Sequence, residues 1–268
     1  MKTIVNLLML CCIAVGASSC SSDDDAETSP KTFVLIAGSW QGAWVWNDVK
    51  HQLEAAGHHV TVVELPAHGE DQTAPQDVSM DVYRDHTISI INTIPGKVIL
   101  VGHSMAGVVV SAVSEEIPER IEKLIYLAAI LPANGQSLLD LANTDTQALL
   151  GPSIIPSEDQ LLLDVKKDKI IDIFCQDGSA KAKQLILDNF RLEPAIPFAN
   201  KVTLTEDGFG KVDKYFIHTE LDHAIGIDLQ LRMVAAAGNV HTYTLSSGHS
   251  PHLSTPRKLS ALLMEIAE

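Results

Sequence analysis

The stretch Lys97-Val98-Ile99-Leu100-Val101-Gly102-His103-Ser104-Met105-Ala106-Gly107 joins an apolar run to a helix-like segment that continues over residues 108–116. A serine between a buried strand and a helix stands on a tight turn. Such a turn exposes the hydroxyl above the sheet and places the next amide at the helix N-terminus. Ser104 is therefore the candidate nucleophile. Ala106 occupies the final glycine position of the pattern G-x-S-x-G, and one methyl group is the mildest departure from that pattern.

Short runs rich in Val, Ile and Leu alternate with helical patterns along the chain on both sides of this turn. Buried parallel strands have this composition, and strands that alternate with helices predict one doubly wound, mainly parallel sheet. The predicted fold class is therefore α/β, with ligands bound beyond the carboxyl ends of the strands. The predicted strands are 32–37, 59–64, 97–101, 123–128, 214–218 and 240–245, and the predicted helices are 45–56, 80–93 and 256–267.

The interval between the fourth and fifth predicted strands is too long for a simple crossover connection. We predict that about 132–205 form an inserted helical cap. Apolar residues at helical spacing predict helices at 157–174 and 179–190. Because the insertion leaves the sheet at its ligand-binding edge, we expect it to cover the site. The alternative is a peripheral subdomain without a catalytic role.

The N-terminal residues have the pattern of an export signal. Lys2 provides a positive start, residues 4–15 form an apolar run too short to span a bilayer, and small residues precede Cys20. This ending resembles the lipobox of bacterial lipoproteins, in which Cys20 would carry the lipid, although Ala17 stands where leucine is usual. Ordinary signal cleavage is the alternative.

We therefore expect a protein exported from the bacterial cytoplasm and anchored to a membrane through Cys20, or otherwise periplasmic or secreted. A short acidic and polar stretch after Cys20 has the composition of a solvated tether. The predicted division of the chain is 1–20 signal peptide, 21–31 acidic tether and 32–268 globular domain.

Charge and composition restrict the partners. The formal net charge is −15, and the Lys and Arg residues form no cluster of the kind that binds phosphates, so nucleic acid is excluded as a partner. A neutral small molecule is the expected substrate. The spacing of His and Cys suggests no metal site, and there is no glycine-rich phosphate cradle, so no cofactor is predicted. The sequence specifies no oligomeric state.

A serine hydroxyl needs a histidine as base, and the histidine needs an acid that fixes its tautomer. Asp222 follows the fifth predicted strand directly and is the candidate acid, with Glu220 as the alternative. His249 follows the last predicted strand and is the candidate base, with His252 as its competitor.

Two backbone amides are needed to stabilise the oxyanion of a tetrahedral intermediate. Met105, directly after the nucleophile, provides one. Ser39 provides the other; it lies in the first loop, residues 37–44, where Gly38 lets the backbone approach. We expect Trp40, Leu162 and Phe174 to line the substrate pocket.

Taken together, these motifs resemble an α/β-hydrolase subfamily that contains salicylate-type methyl esterases, methylketone synthases, hydroxynitrile lyases and bacterial EstC-like esterases. The resemblance extends from about Phe33 to the C-terminus. It rests on Gly38-Ser39-Trp40, Gly42-Ala43-Trp44, Leu65-Pro66-Ala67-His68-Gly69, Gly102-His103-Ser104-Met105, Tyr126-Leu127-Ala128-Ala129, Thr219 with Asp222, and His249-Ser250-Pro251.

The resemblance implies an α/β-hydrolase fold, the triad Ser104, Asp222 and His249, and oxyanion amides at Ser39 and Met105. Ala37 replaces a histidine that is usual in the family. The lyases resemble one another in a lysine directly after the catalytic histidine and a threonine at the oxyanion position. Ser250 and Ser39 stand at these positions here, so cyanohydrin cleavage is disfavoured.

The function predicted from these features is hydrolysis of small or medium neutral carboxylic esters through an acyl-serine intermediate. One alternative keeps the triad and cleaves a lactone, a thioester or a carbon–carbon bond. Another is a small-molecule-binding lipoprotein with weak turnover, because a fold alone does not fix a function.

Overall fold

A computed structural model describes residues 29–268. The predicted signal peptide, Cys20 and most of the predicted tether lie outside the described residues. The strands are β1 (Thr32–Ile36), β2 (His59–Val63), β3 (Val98–His103), β4 (Ile121–Leu127), β5 (Ile154–Pro156), β6 (Leu162–Val165), β7 (Glu193–Pro194), β8 (Lys214–Thr219) and β9 (Val240–Leu245). The α-helices are α1 (Asn47–Ala55), α2 (Met80–Ile91), α3 (Ala106–Glu116), α4 (Leu138–Ala142), α5 (Ile170–Phe174), α6 (Ala180–Asn189), α7 (Ile196–Ala199), α8 (Ile227–Ala237), α9 (Pro251–Ser254) and α10 (Pro256–Ala267).

The main sheet has six parallel strands in the order β2-β1-β3-β4-β8-β9. All six predicted strands are present, with ends that differ by at most two residues. Strand β3, which leads into Ser104, lies inside the sheet and is buried along its whole length. The predicted α/β fold class is confirmed.

Side chains of the strands alternate between two hydrophobic layers, because successive residues of a strand point to opposite faces. Val34 and Leu100 belong to the layer that packs against α2, α3 and α8. Leu35 and Val101 belong to the layer that packs against α1 and α10. Both faces of the sheet are therefore covered, as a parallel sheet requires.

The helices flanking the sheet follow the expected end signals. Ser79 caps α2 by accepting a hydrogen bond from the amide of Val82 at 3.3 Å. The predicted helix 45–56 begins later than expected, since residues Ala43–Trp46 form a 3₁₀ turn before α1. None of the helices within residues 29–268 is both long enough and apolar enough to cross a membrane.

The prediction of a helix at 157–174 is wrong for most of its length. These residues contribute to a small antiparallel sheet, β5-β6-β7, and only Ile170–Phe174 is helical. Asp159 accepts hydrogen bonds from the Ser157 hydroxyl at 2.6 Å and from the amide of Leu161 at 3.1 Å. Local side-chain bonds of this kind compete with a helix, and here they close a β-hairpin. The second predicted cap helix, 179–190, is present as α6, which Ser179 caps.

Candidate active site

Ser104 stands on a strained turn between β3 and α3. Its φ of 56° lies in the left-handed region, which is uncommon for a residue with a side chain. Its amide donates to the carbonyl of Leu127 at 3.2 Å, and its carbonyl accepts from the amides of Gly107 and Ile130 at 3.1 and 3.0 Å. These three bonds hold the strained conformation, and the side chain is partly exposed.

Glycine is required at two positions around this turn. A Cβ on Gly102 would lie 2.6 Å from the carbonyl oxygen of Ala106, and a Cβ on Gly107 would lie 2.2 Å from that of Ile130. Ala106 itself is fully buried, with its methyl group accommodated in the core. The close contact between helix and loop is therefore made at Gly107, one residue after the usual position, which explains the departure at Ala106.

Asp222 and His249 are brought together by the ends of β8 and β9. The Nδ1 atom of His249 lies 2.9 Å from Oδ2 and 3.1 Å from Oδ1 of Asp222. The same carboxylate accepts from the amides of Ala224 and Ile225 at 2.8 and 2.9 Å and from the hydroxyl of Thr219 at 2.7 Å. A carboxylate held by these donors places the proton of His249 on Nδ1 and leaves Nε2 as a hydrogen-bond acceptor.

Within the described part of the chain, the alternative acid, Glu220, and the alternative base, His252, make no contact of this kind. Glu220 is exposed, whereas Asp222 is buried. His252 is fully buried, and its ring packs against Trp46 and His103 at centroid distances of 5.0 and 4.5 Å. Burial, with a contribution from His249, lowers the pKa of His252 to about 3. His252 is therefore a neutral core residue.

His103 contacts both the backbone and the ring of His249. Its Nε2 atom donates to the carbonyl of His249 at 2.8 Å, and the two rings lie 4.6 Å apart. Burial, followed by the neighbouring His252 and His249, holds the pKa of His103 well below its usual range. Nothing in the sequence points to this contact except the position of His103 next to Ser104.

The first loop approaches the nucleophile closely. A Cβ on Gly38 would lie 2.5 Å from Cβ of Ser104, so only glycine allows the loop to pass there. Within residues 29–268, the amides of Ser39 and Met105 have no hydrogen-bond acceptor. In the same described region no hydrogen bond joins Ser104 to His249; such contacts are often long in enzymes without substrate. The roles of the triad and of the two amides stay predictions.

Of the predicted pocket residues, Phe174 lies beside His249, and Trp40 packs against Phe174. Trp40 is 3% exposed, and its ring centroid lies 5.5 Å from that of Phe174, which is 6.0 Å from the ring of His249. Leu162 lines a different feature, a groove of about 240 Å³ shared with Ala67 and Arg191, and this groove includes none of the triad residues.

Sequence reasoning missed a buried pair that joins the inserted segment to two core loops. Oε2 of Glu193 accepts from the amide of Trp40 at 2.8 Å and lies 3.1 Å from Nε2 of His68. Nδ1 of His68 donates to the carbonyl of Pro66 at 3.1 Å. Burial alone would lower the pKa of His68, but the charge of the adjacent Glu193 carboxylate outweighs it and raises that pKa. His68 lies in a motif noted in the sequence, whereas Glu193 stands in no recognisable pattern.

Comparisons with known proteins identify the family of this chain. Residues 33–262 match the model of the alpha/beta hydrolase family. Putative methylesterase 11, chloroplastic, of Arabidopsis thaliana is 31% identical over 91% of this chain and 65% of its own length. Methylesterase 1 of the same plant is 30% identical over 90% of this chain and 98% of its own length.

This chain covers only 65% and 56% of the first two methylesterases that it matches. A crystal structure of a polyneuridine aldehyde esterase mutant superposes with a TM-score of 0.80 at 23% identity, covering 89% of this chain and all of that one. At this identity the superposition shows the fold alone.

Proposed function

Because this chain belongs to the alpha/beta hydrolase family, within its methylesterase group, we propose that it hydrolyses carboxylic esters through an acyl intermediate on Ser104. The observation that carries the proposal is the buried Asp222–His249 pair, formed at 2.9 Å, at the same sheet edge as the strained Ser104 turn. A histidine held by a carboxylate is a common activator of a serine nucleophile.

In the proposed reaction, Ser104 Oγ attacks the ester carbonyl carbon while its proton moves to Nε2 of His249. The amides of Ser39 and Met105 stabilise the oxyanion of the tetrahedral intermediate. His249 then returns the proton to the leaving alcohol as the carbon–oxygen bond breaks. Water, deprotonated by His249, attacks the acyl-enzyme and releases the carboxylic acid and free Ser104.

Small or medium neutral esters fit the surroundings of the site. Phe174 places a buried aromatic ring beside His249, Trp40 packs against Phe174, and such walls favour apolar acyl groups. The formal charge of −15 disfavours anionic substrates. The relatives are named methylesterases, so methyl esters are the first alcohols to test.

The decisive experiment compares the protein with Ser104→Ala on a series of p-nitrophenyl esters, methyl esters, lactones and thioesters. We expect ester turnover, with an initial burst where deacylation is slow, and a loss on the order of 10⁴-fold or more in the variant. Full esterase activity in Ser104→Ala would refute the mechanism. Tight ligand binding without turnover would favour the small-molecule-binding alternative.

We also propose that Cys20 anchors the protein to a membrane as a lipoprotein. The small residues before Cys20 and the acidic stretch after it support this proposal. In a bacterial host, the full chain should incorporate labelled palmitate and fractionate with membranes. Cys20→Ser should lose the label, and labelling that persists in this variant would exclude Cys20 as the lipidated residue.

A further inference from the structure

Trp40, the residue after the proposed oxyanion amide of Ser39, is held by three hydrogen bonds from the inserted segment. Its amide donates to Oε2 of Glu193 at 2.8 Å, and its indole Nε1 donates to the carbonyl of Leu163 at 2.9 Å. Glu193 and Leu163 are paired neighbours on β7 and β6. Strands β6 and β7 therefore bind both N–H groups of Trp40, and the Trp40 carbonyl accepts from the amide of Arg191 at 3.4 Å.

The backbone of Trp40 needs such support. Its φ is 60°, in the left-handed region that a bulky side chain rarely adopts. Conformations of this kind persist only where surrounding contacts determine them. The Trp40 amide lies in the Ser39–Trp40 peptide, and the Ser39 amide lies in the preceding peptide plane. The two planes meet at Cα of Ser39, so holding the Trp40 amide restricts the φ and ψ values of Ser39 that orient the Ser39 amide.

Glu193 is itself fixed on the core side. It is 1% exposed, and the oxygen that accepts from Trp40 also faces His68, which is 3% exposed. A buried carboxylate is costly unless it is paired and hydrogen-bonded. Nearby, Arg191 donates to the carbonyls of Gly69 and Asp71, in the loop that contains His68. The segment 191–193 is thus attached to two separate core loops.

We propose that Glu193 is a positioning residue, which orients the first loop, and with it the Ser39 amide, through the amide of Trp40. Stabilisation of the oxyanion then depends on how the small sheet packs on the core. This inference rests on the proposed function, because the Ser39 amide is assigned to the oxyanion there. Glu193 does not touch the reacting atoms. It acts on the transition state through the Ser39–Trp40 peptide, so its loss should lower kcat more than it raises KM.

The test uses Glu193→Leu, which removes the acceptor, and Glu193→Gln, which keeps a neutral one. Glu158→Leu is the matched control, because Glu158 is exposed on the hairpin of the same small sheet. Three measurements are made on each protein. They are kcat and KM on p-nitrophenyl acetate, the rate at which a fluorophosphonate labels Ser104, and hydrogen exchange of the peptide 38–42.

We expect Glu193→Leu to lower kcat and the labelling rate by about 100-fold, the effect of losing one oxyanion donor, with KM changed less than about threefold. Exchange in 38–42 should become faster in this variant. Glu193→Gln should lose about three- to tenfold in kcat and in labelling, because a hydrogen bond to a neutral oxygen is weaker than one to a carboxylate. Glu158→Leu should match the unaltered protein in all three measurements.

Several results would overturn the proposal. One is unchanged exchange in 38–42 for Glu193→Leu; another is a loss of activity confined to KM. If Glu193→Leu does not fold, Glu193→Gln decides, and equality with the unaltered protein in exchange and labelling rejects the role. If the unaltered protein hydrolyses no ester, the proposed function fails by itself. Labelling and exchange still decide whether Glu193 orients the loop.

Discussion

At the scale of single residues, His103 and His252 are two fully buried imidazoles beside His249. Burial, aided by neighbouring imidazoles, lowers the pKa of both. A group whose pKa is lower in the folded protein binds more protons when the chain unfolds. It therefore contributes stability above its unfolded pKa of about 6.5, and this contribution is lost as the pH falls.

We predict that His252→Leu makes the protein less sensitive to acid. For His252 the loss of stability should extend from about pH 6.5 towards its folded pKa of about 3, at about 1.4 kcal/mol per pH unit. Urea unfolding at several pH values between 4 and 7 measures this slope. His51→Leu, at an exposed position, should leave the slope unchanged. An identical slope in His252→Leu would contradict the assignment of a neutral buried His252.

The pKa of His68 shifts in the opposite direction, because Glu193 raises it although the side chain is buried. The stability that it contributes is present below about pH 6.5 and is lost as the pH rises through the raised pKa. We predict that His68→Asn costs more free energy of unfolding at pH 6 than at pH 9, measured by urea unfolding. With Glu193→Gln in both proteins, this excess cost at pH 6 should disappear or reverse, because burial alone lowers the pKa of His68. A cost that increases with pH would refute the pairing.

At the scale of elements, the N-terminus of α3 packs directly on the loop after β4. We predict that Gly107→Ala destabilises the protein by about 1–3 kcal/mol, because the added Cβ would lie 2.2 Å from the carbonyl oxygen of Ile130. Gly151→Ala should be nearly neutral, since no atom lies within 4 Å of its added Cβ. Chemical unfolding measures both. A neutral Gly107→Ala would show that the loop moves away without cost.

Elements of the main sheet were predictable, whereas the inserted segment was only partly so. Strands 98–103 and 214–219 are apolar runs bounded by turns, and each is identified by its own residues. Residues 157–165 contain apolar side chains at spacings that fit a helix, but Asp159 closes a hairpin there. The choice between helix and hairpin depends on pairing with β7, which lies about 30 residues further along the chain.

At the scale of the whole molecule, the first loop and the inserted segment meet where Trp40 packs against Phe174, whose ring lies 6.0 Å from that of His249. We predict that Phe174→Leu raises kcat/KM for p-nitrophenyl hexanoate relative to the acetate by about tenfold, since Phe174 packs against His249 and Trp40. The loss of packing should cost about 0.5–3 kcal/mol of stability.

Leu162→Ala is the matched control for acyl-chain preference, because Leu162 lines the separate groove near Arg191. It should leave the ratio of hexanoate to acetate hydrolysis unchanged. A shift of that ratio in Leu162→Ala, with none in Phe174→Leu, would reverse the assignment of the pocket.

The sequence by itself determined the parallel sheet, the turn that carries Ser104, and the candidates Asp222 and His249, because strand periodicity and turn chemistry are properties of neighbouring residues. Only the tertiary structure showed that His249 rather than His252 contacts Asp222, and that Phe174 rather than Leu162 lies beside His249. It alone brought Glu193 to Trp40 across 153 residues of chain. Contacts of this kind depend on how whole segments pack. Many residues of the chain could donate to a buried carboxylate, and its partners are decided only when the small sheet packs on the core.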